Sequence, residues 1–163
     1  MRGIGLFAAL LAMMPGPASA REALGVFGSW GAFRDERPLR CFAIAEPARR
    51  FRNAEWRPFA SVATWPGSKV RAQIHIRLRH ARSPDEPVTL AIGERRFALV
   101  GGGADAWAPD ARTDAAIVAA MRSGSSLSIG TRSTTGRAFA DVYRLRGAAT
   151  AIDAAALACA RLR

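Results

Sequence analysis

The sequence predicts a mainly β domain, an antiparallel β-sandwich with two short α-helices. Three observations predict it. In residues 69–79 and 88–100, apolar and polar residues alternate at period two instead of the helical 3.6. Glycine- and proline-marked turns punctuate those runs. Helical spacing of apolar residues is confined to two stretches, residues 113–124 and 150–159.

The elements follow in order. Residues 24–33 form a candidate first strand interrupted by Gly25, Gly28 and Gly31, residues 39–45 a second that carries Cys41, and residues 60–65 a third. Residues 69–79 are the clearest: Val70, Ala72, Ile74, Ile76 and Leu78 alternate with Lys69, Arg71, Gln73, His75, Arg77 and Arg79. That is the pattern of a half-buried strand whose outer face is a ladder of cations. Such a ladder either blocks edge pairing as a solvated face or grips phosphates and carboxylates by paired hydrogen bonds. The candidate anion-binding residues are therefore Lys69, Arg71, His75, Arg77 and Arg79.

Residues 88–100 read as a hairpin. A two-residue II′ turn at Gly93-Glu94 sets Leu90 opposite Phe97 and Val88 opposite Leu99. Residues 126–131 and 138–145 form a second hairpin with Gly136 in its loop. In its last strand Phe139, Tyr143 and Leu145 share a face with Asp141, so either Asp141 has a buried partner or a bulge shifts the phase. The first helix has Thr113 as its N-cap candidate, Ile117, Ala120 and Met121 as its inner stripe and Gly124 as its stop. The second pairs Thr150 with Asp153 at capping-box spacing and places Ile152, Ala155, Ala156 and Cys159 on one face. About six or seven strands with two helices favour a sandwich over a barrel. The basic stretch 49–57 is an irregular connection inside the domain, and residues 82–87 form a loop.

The first twenty residues read as a secretory signal: Arg2, a short apolar run over residues 3–14, then Pro15-Gly16-Pro17 and the small residues Ala18 and Ala20. The run is too short to span roughly 30 Å of hydrocarbon. Cleavage falls between Ala20 and Arg21, leaving one domain, residues 21–163, in the periplasm or outside the cell. In an oxidising compartment two cysteines pair, and Cys41 with Cys159 is the one intrachain choice. A bridge closing so long a loop removes denatured-state entropy worth about 5 kcal/mol. It fastens the terminal helix to the first strands.

The formal net charge is +11, and Lys69 is the one lysine, so nearly all the positive charge is arginine. The excess attracts anionic lipid, acidic glycan or nucleic acid. No nucleic-acid module pattern interleaves aromatics with the arginines, and the GC-rich codons of Arg, Ala, Gly and Pro account for much of the bias. A catalytic or metal site is not expected. His75 lies among arginines that repel a metal ion, and His80 five positions on would face the other way. Residues 101–103 lack the Gly-Lys-Ser continuation of a phosphate loop. Residues 123–126 contain no nucleophile elbow. Asp105, Asp110 and Asp114 read as loop or helix-start acids. A pocket gathering His80 with Asp141 or Asp105 would instead indicate a hydrolase. Trp30 and Trp65 read as packing residues. Trp56 and Trp107 stand in loop-like contexts where exposure would make a sugar- or protein-binding surface.

The C-terminal third resembles the invasion-associated locus B family of exported bacterial envelope proteins. The matching pieces are residues 114–129 (DAAIVAAMRSGSSLSI) and residues 143–159 (YRLRGAATAIDAAALAC), with weaker matches at residues 28–33 (GSWGAF) and residues 40–43 (RCFA). The resemblance implies an immunoglobulin-like sandwich, a periplasmic or surface location and no established catalysis; no cofactor is expected, and the expected partner is a protein or, through the basic strand face, an anionic envelope polymer. Family members often carry a further cysteine where this chain has Arg34, so the resemblance extends only to the Cys41–Cys159 pair.

Overall fold

The computed structural model describes residues 21–160; the expected leader, residues 1–20, with Ala20 of the expected cleavage site, lies outside the described residues. Arg21 opens the first strand. The strands are β1 (Arg21–Phe27), β2 (Trp30–Glu36), β3 (Leu39–Ala45), β4 (Phe59–Trp65), β5 (Val70–Arg77), β6 (Val88–Ile92), β7 (Arg95–Gly102), β8 (Asp105–Trp107), β9 (Ser126–Arg132) and β10 (Ala138–Arg144). They pair antiparallel in the order β1-β2-β3-β4-β5-β8-β7-β6-β9-β10. Helices α1 (Ala111–Ser123) and α2 (Ala148–Ala160) complete the mainly β fold.

Ten strands form where six or seven were expected, and two of them arise where no separate strand was expected. The run 24–33 is not one strand: Gly28 at φ 58° turns it into the β1–β2 hairpin, pairing Phe27 with Trp30. A Cβ at Gly28 would stand 2.4 Å from the Arg146 carbonyl oxygen, so only glycine fits. Residues 101–103 reverse tightly into β8, which sets Trp107 against Val100 and His75. The expected registers of β6 with β7 hold, with Leu90 opposite Phe97 and Val88 opposite Leu99. Gly93 carries a positive φ of 56° and Glu94 does not, as a II′ turn requires.

β7 pairs β6 through Arg95–Leu99 and β8 through Val100–Gly102. Where the pairing changes hands the sheet turns. β10 then comes back to the first strands: Trp30 Nε1 donates to the Arg144 carbonyl at 2.8 Å, Ser29 N to Arg146 and Ala48 N to Val142. One apolar core results, with Trp30, Ile74, Ile76, Leu90, Ile129 and Tyr143 fully buried.

Both helices lie where expected, with different caps. Asp110, not Thr113, caps α1, its carboxylate accepting from Thr113 N at 2.7 Å. α2 begins at Ala148, so Thr150 is inside it and Asp153 makes no box; Asp153 instead takes a bidentate pair from Arg122 of α1 at 2.6 and 3.1 Å. Ile117, Ala120 and Met121 of α1 are buried, as are Ile152 and Ala155 of α2, while Ala156 faces outward. Cys159 is buried and bonded to Cys41, their Cα atoms 5.8 Å apart. The bridge ties α2 to β3.

Candidate anion-binding groove

The cations of residues 69–79 do not form one ladder. Lys69 (φ 57°) and Ala72 (φ 50°) adopt left-handed backbone, and the β4–β5 register slips between Ala63 opposite Gln73 and Trp65 opposite Val70. Partners across a ladder share a face, so this bulge puts Val70 on the side of Gln73 and His75. Lys69 and Arg71 thus fall out of phase with Arg77 and border a separate hollow beside Thr64, Pro66 and Cys159. His75 and Arg77 do stand together, but both bind one acid on β8: Asp105 Oδ1 receives Arg77 Nε at 2.6 Å and lies 2.7 Å from His75 Nε2. The His75 ring stacks on Trp107, centroids 5.0 Å apart. Asp105 is therefore a strand residue serving as counter-ion, not a loop acid.

Arg79 goes elsewhere. It crosses from the end of β5 to Asp141 of β10, whose buried carboxylate receives its Nη1 at 2.5 Å. Asp141 thus has a buried partner, and β10 keeps its phase with no bulge. Burial pushes the Asp141 carboxyl above the usual range, and Arg79 pulls it back only in part. Burial and the neighbouring Asp141 likewise push the Tyr143 phenol up. The Arg79 guanidinium lies over two rings, 4.1 Å from the Phe51 centroid and 4.9 Å from that of Phe139.

Loop 46–58 is thereby fastened to the sheet. Phe51 rests on Arg79; Glu55 N and Trp56 N donate to the Arg79 carbonyl at 2.9 and 3.4 Å; Ala48 N donates to Val142 at 2.7 Å. Facing it is the β9–β10 turn, where Ser133 and Thr134 are held by Arg137 and Ala81 backbone. Between loop and turn runs an open groove of about 1050 Å³. Arg49, Arg50, Arg52, Arg79 and Arg137 line it against one carboxylate, Glu55. Among the described residues no ion pair engages Arg49, Arg50, Arg52 or Arg137, and all four are exposed. The result is a channel of unneutralised guanidinium groups, each able to fork onto a carboxylate or phosphate.

Of the residues expected to bind anions, only Arg79 reaches this groove, and it serves as the floor. The arginines that do the lining were visible as the basic stretch 49–57, but Arg137 opposite them is brought there by topology alone. His80 borders the groove with its Nδ1 3.4 Å from Glu55 Oε1 and its ring edge-on to Phe139. It does not join Asp105, which is held by His75 and Arg77, and the Asp141 carboxylate is committed to Arg79. Trp30 and Trp65 pack as expected, Trp65 beneath the Arg40 guanidinium. Trp56 is 38 % exposed.

Fold and site together define a mainly β, singly disulfide-bridged protein with a cationic groove, and no described helix is long and apolar enough to cross a membrane. No protein-family model matches the chain, and comparison with curated proteins and with solved structures found no significant match.

Proposed function

We propose that the chain is an exported, non-catalytic binding protein that holds an anionic envelope polymer in the groove between loop 46–58 and the β9–β10 turn. The observation that carries this is the gathering of Arg49, Arg50, Arg52 and Arg137, from two distant parts of the sequence, around a single acid. Six arginines elsewhere are answered: Arg21 and Arg40 by Asp35, Arg34 by Glu22, Arg57 by Glu46, Arg77 by Asp105, Arg122 by Asp153. A concentration of unanswered charge raises the local concentration of a polyanion and steers it. The buried bridge supports residence in an oxidising compartment. It also agrees with the resemblance to the invasion-associated locus B family and with a leader ending at Ala20.

The test is a titration of the full chain with alginate and with polyphosphate over a salt series. Binding should weaken steeply as the Debye length falls from about 10 Å at 0.1 M. Reversing Arg50, Arg52 and Arg137 together to Glu should lower affinity for both polymers at least tenfold. Reversing Arg95 and Arg96, on the exposed β6–β7 hairpin, should change it less than threefold. Salt-independent binding, or equal loss from both sets, overturns the proposal.

A further inference from the structure

Loop 46–58 lines a second concavity, of about 350 Å³, that opens beside the groove. The volume falls within the roughly 300–1,000 Å³ of small-molecule sites. Half of its lining is apolar and ring-rich: Pro47, Phe51, Ala54, Trp56 and Pro58. The other half is charged, with Glu46 and Arg57 joined at 2.6 Å, and Arg49, Arg50 and Glu55. Arg49, Arg50, Phe51 and Glu55 border both this cleft and the groove. A ring seated on Trp56 therefore shares its cleft with Arg49 and Arg50, which also line the groove.

We infer that the cleft is a pyranose subsite and that the polymer is an acidic polysaccharide carrying uronate groups. The inference rests on the groove being an anion site and names which anion it takes. A sugar ring has an apolar C–H face to lay on an indole and hydroxyls at its edge to donate to carboxylates, and both are met here by Trp56 and by Glu46 and Glu55. Polyphosphate has no apolar face, and the ionised side chains of an acidic peptide only accept hydrogen bonds, so they offer Glu46 and Glu55 no donor as sugar hydroxyls do. An acyl chain would leave the charged half of the lining unmatched. The backbone bonds from Glu55 and Trp56 to Arg79, and from Ala48 to Val142, hold the loop in place before any ligand arrives, which lowers the ordering cost of binding.

The experiment compares alginate with polyphosphate of matched charge on the wild-type chain, Trp56→Ala and Trp56→Phe, each checked for an unchanged melting temperature. Trp56→Ala should weaken alginate at least tenfold while leaving polyphosphate within twofold. Trp56→Phe should recover most of the loss. Short uronate oligomers should shift tryptophan fluorescence in the wild type, with the shift much reduced in both variants. If Trp56→Ala changes neither polymer, or weakens both equally, the sugar subsite is overturned while the groove stands on its arginine variants. If Trp56→Ala is destabilised, the Phe variant and the fluorescence shift decide: loss of alginate selectivity over polyphosphate in a well-folded Trp56→Phe supports only general packing and overturns the subsite. If the wild type binds neither polymer at low salt, the groove reading itself fails.

Discussion

Asp114 is an acid that forms no ion pair among the described residues. It sits in the first turn of α1, buried, and its Oδ1 accepts from the Ile74 amide at 2.7 Å, one residue beyond the last pairing of β5 with β8. Burial raises its pKa above the ordinary carboxylate value, the Ile74 amide opposes that shift and Asp110 adds to it. An acid that holds its proton more tightly folded than unfolded contributes its stability below the unfolded pKa of about 3.9 and loses it as pH rises through the higher folded value. Asp114→Asn keeps an acceptor for Ile74 and removes the charge. It should therefore match the wild type in acid and equal or exceed it at neutral pH. Asp114→Ala should cost about 1–3 kcal/mol by leaving the amide without its partner. Urea midpoints near pH 4 and pH 7 check both, and a neutral-pH loss in the Asn variant would contradict the account. Nothing in the sequence marked this role: at a helix start an aspartate reads as a capping acid, and only the packing of α1 on β5 shows what it caps. Asp141 was legible, because its place on the inward face of β10 demanded a partner. Arg79 as that partner was not.

The register predicted for the β6–β7 hairpin held, and the errors fell where the backbone leaves the regular pattern. The β6–β7 hairpin was legible because a glycine turn and the apolar faces agreed. β5 misled because its alternation is perfect in sequence, yet the bulge at Ala72 switches the phase and separates Lys69 and Arg71 from Arg77. β8, three residues long, is too short to show any period. The connection from β5 to β6 was legible only as a loop. Its order comes from Arg82, whose Nη1 donates to the carbonyls of Ser83, Pro84 and Glu86 at 3.1, 2.8 and 2.9 Å and whose Nη2 donates to that of Gly101. Arg82 N also donates to Gly103. One guanidinium thus holds the loop to the β7–β8 turn, next to the β9–β10 turn that walls the groove. Arg82→Ala should lower stability by about 2–3 kcal/mol, since hydrogen bonds from charged donors contribute about 1.5–3 kcal/mol and are not additive. Arg82→Lys should recover little, because an ammonium cannot reproduce the planar fork. A lower denaturant midpoint at unchanged slope checks this.

At the scale of the whole molecule, chain order and spatial order part company. The groove joins residues 49–52 to residue 137 because β10, last along the sheet, returns to the β3–β4 connection, and no local pattern encodes that return. The disulfide is the exception: two cysteines leave one intrachain pairing, so a contact spanning 118 residues was readable from composition alone. It acts on the same architecture. α2 packs against β1, β2, β3 and β4 mostly through alanine, and alanine buries little area per residue, so the helix gains little from hydrophobic contact. The bridge offsets that by restricting the denatured chain, a contribution of about 2–4 kcal/mol in measured cases. Cys41→Ser with Cys159→Ser should therefore lower the melting temperature substantially and expose α2 to proteolysis before the sheet. The native protein should resist thiol alkylation until reduced. The groove lies on loop 46–58 and the β9–β10 turn, away from the bridge, so a bridge-free variant that still folds at low temperature should bind polyanion with little change. Retained melting after reduction would show that α2 is held by packing alone.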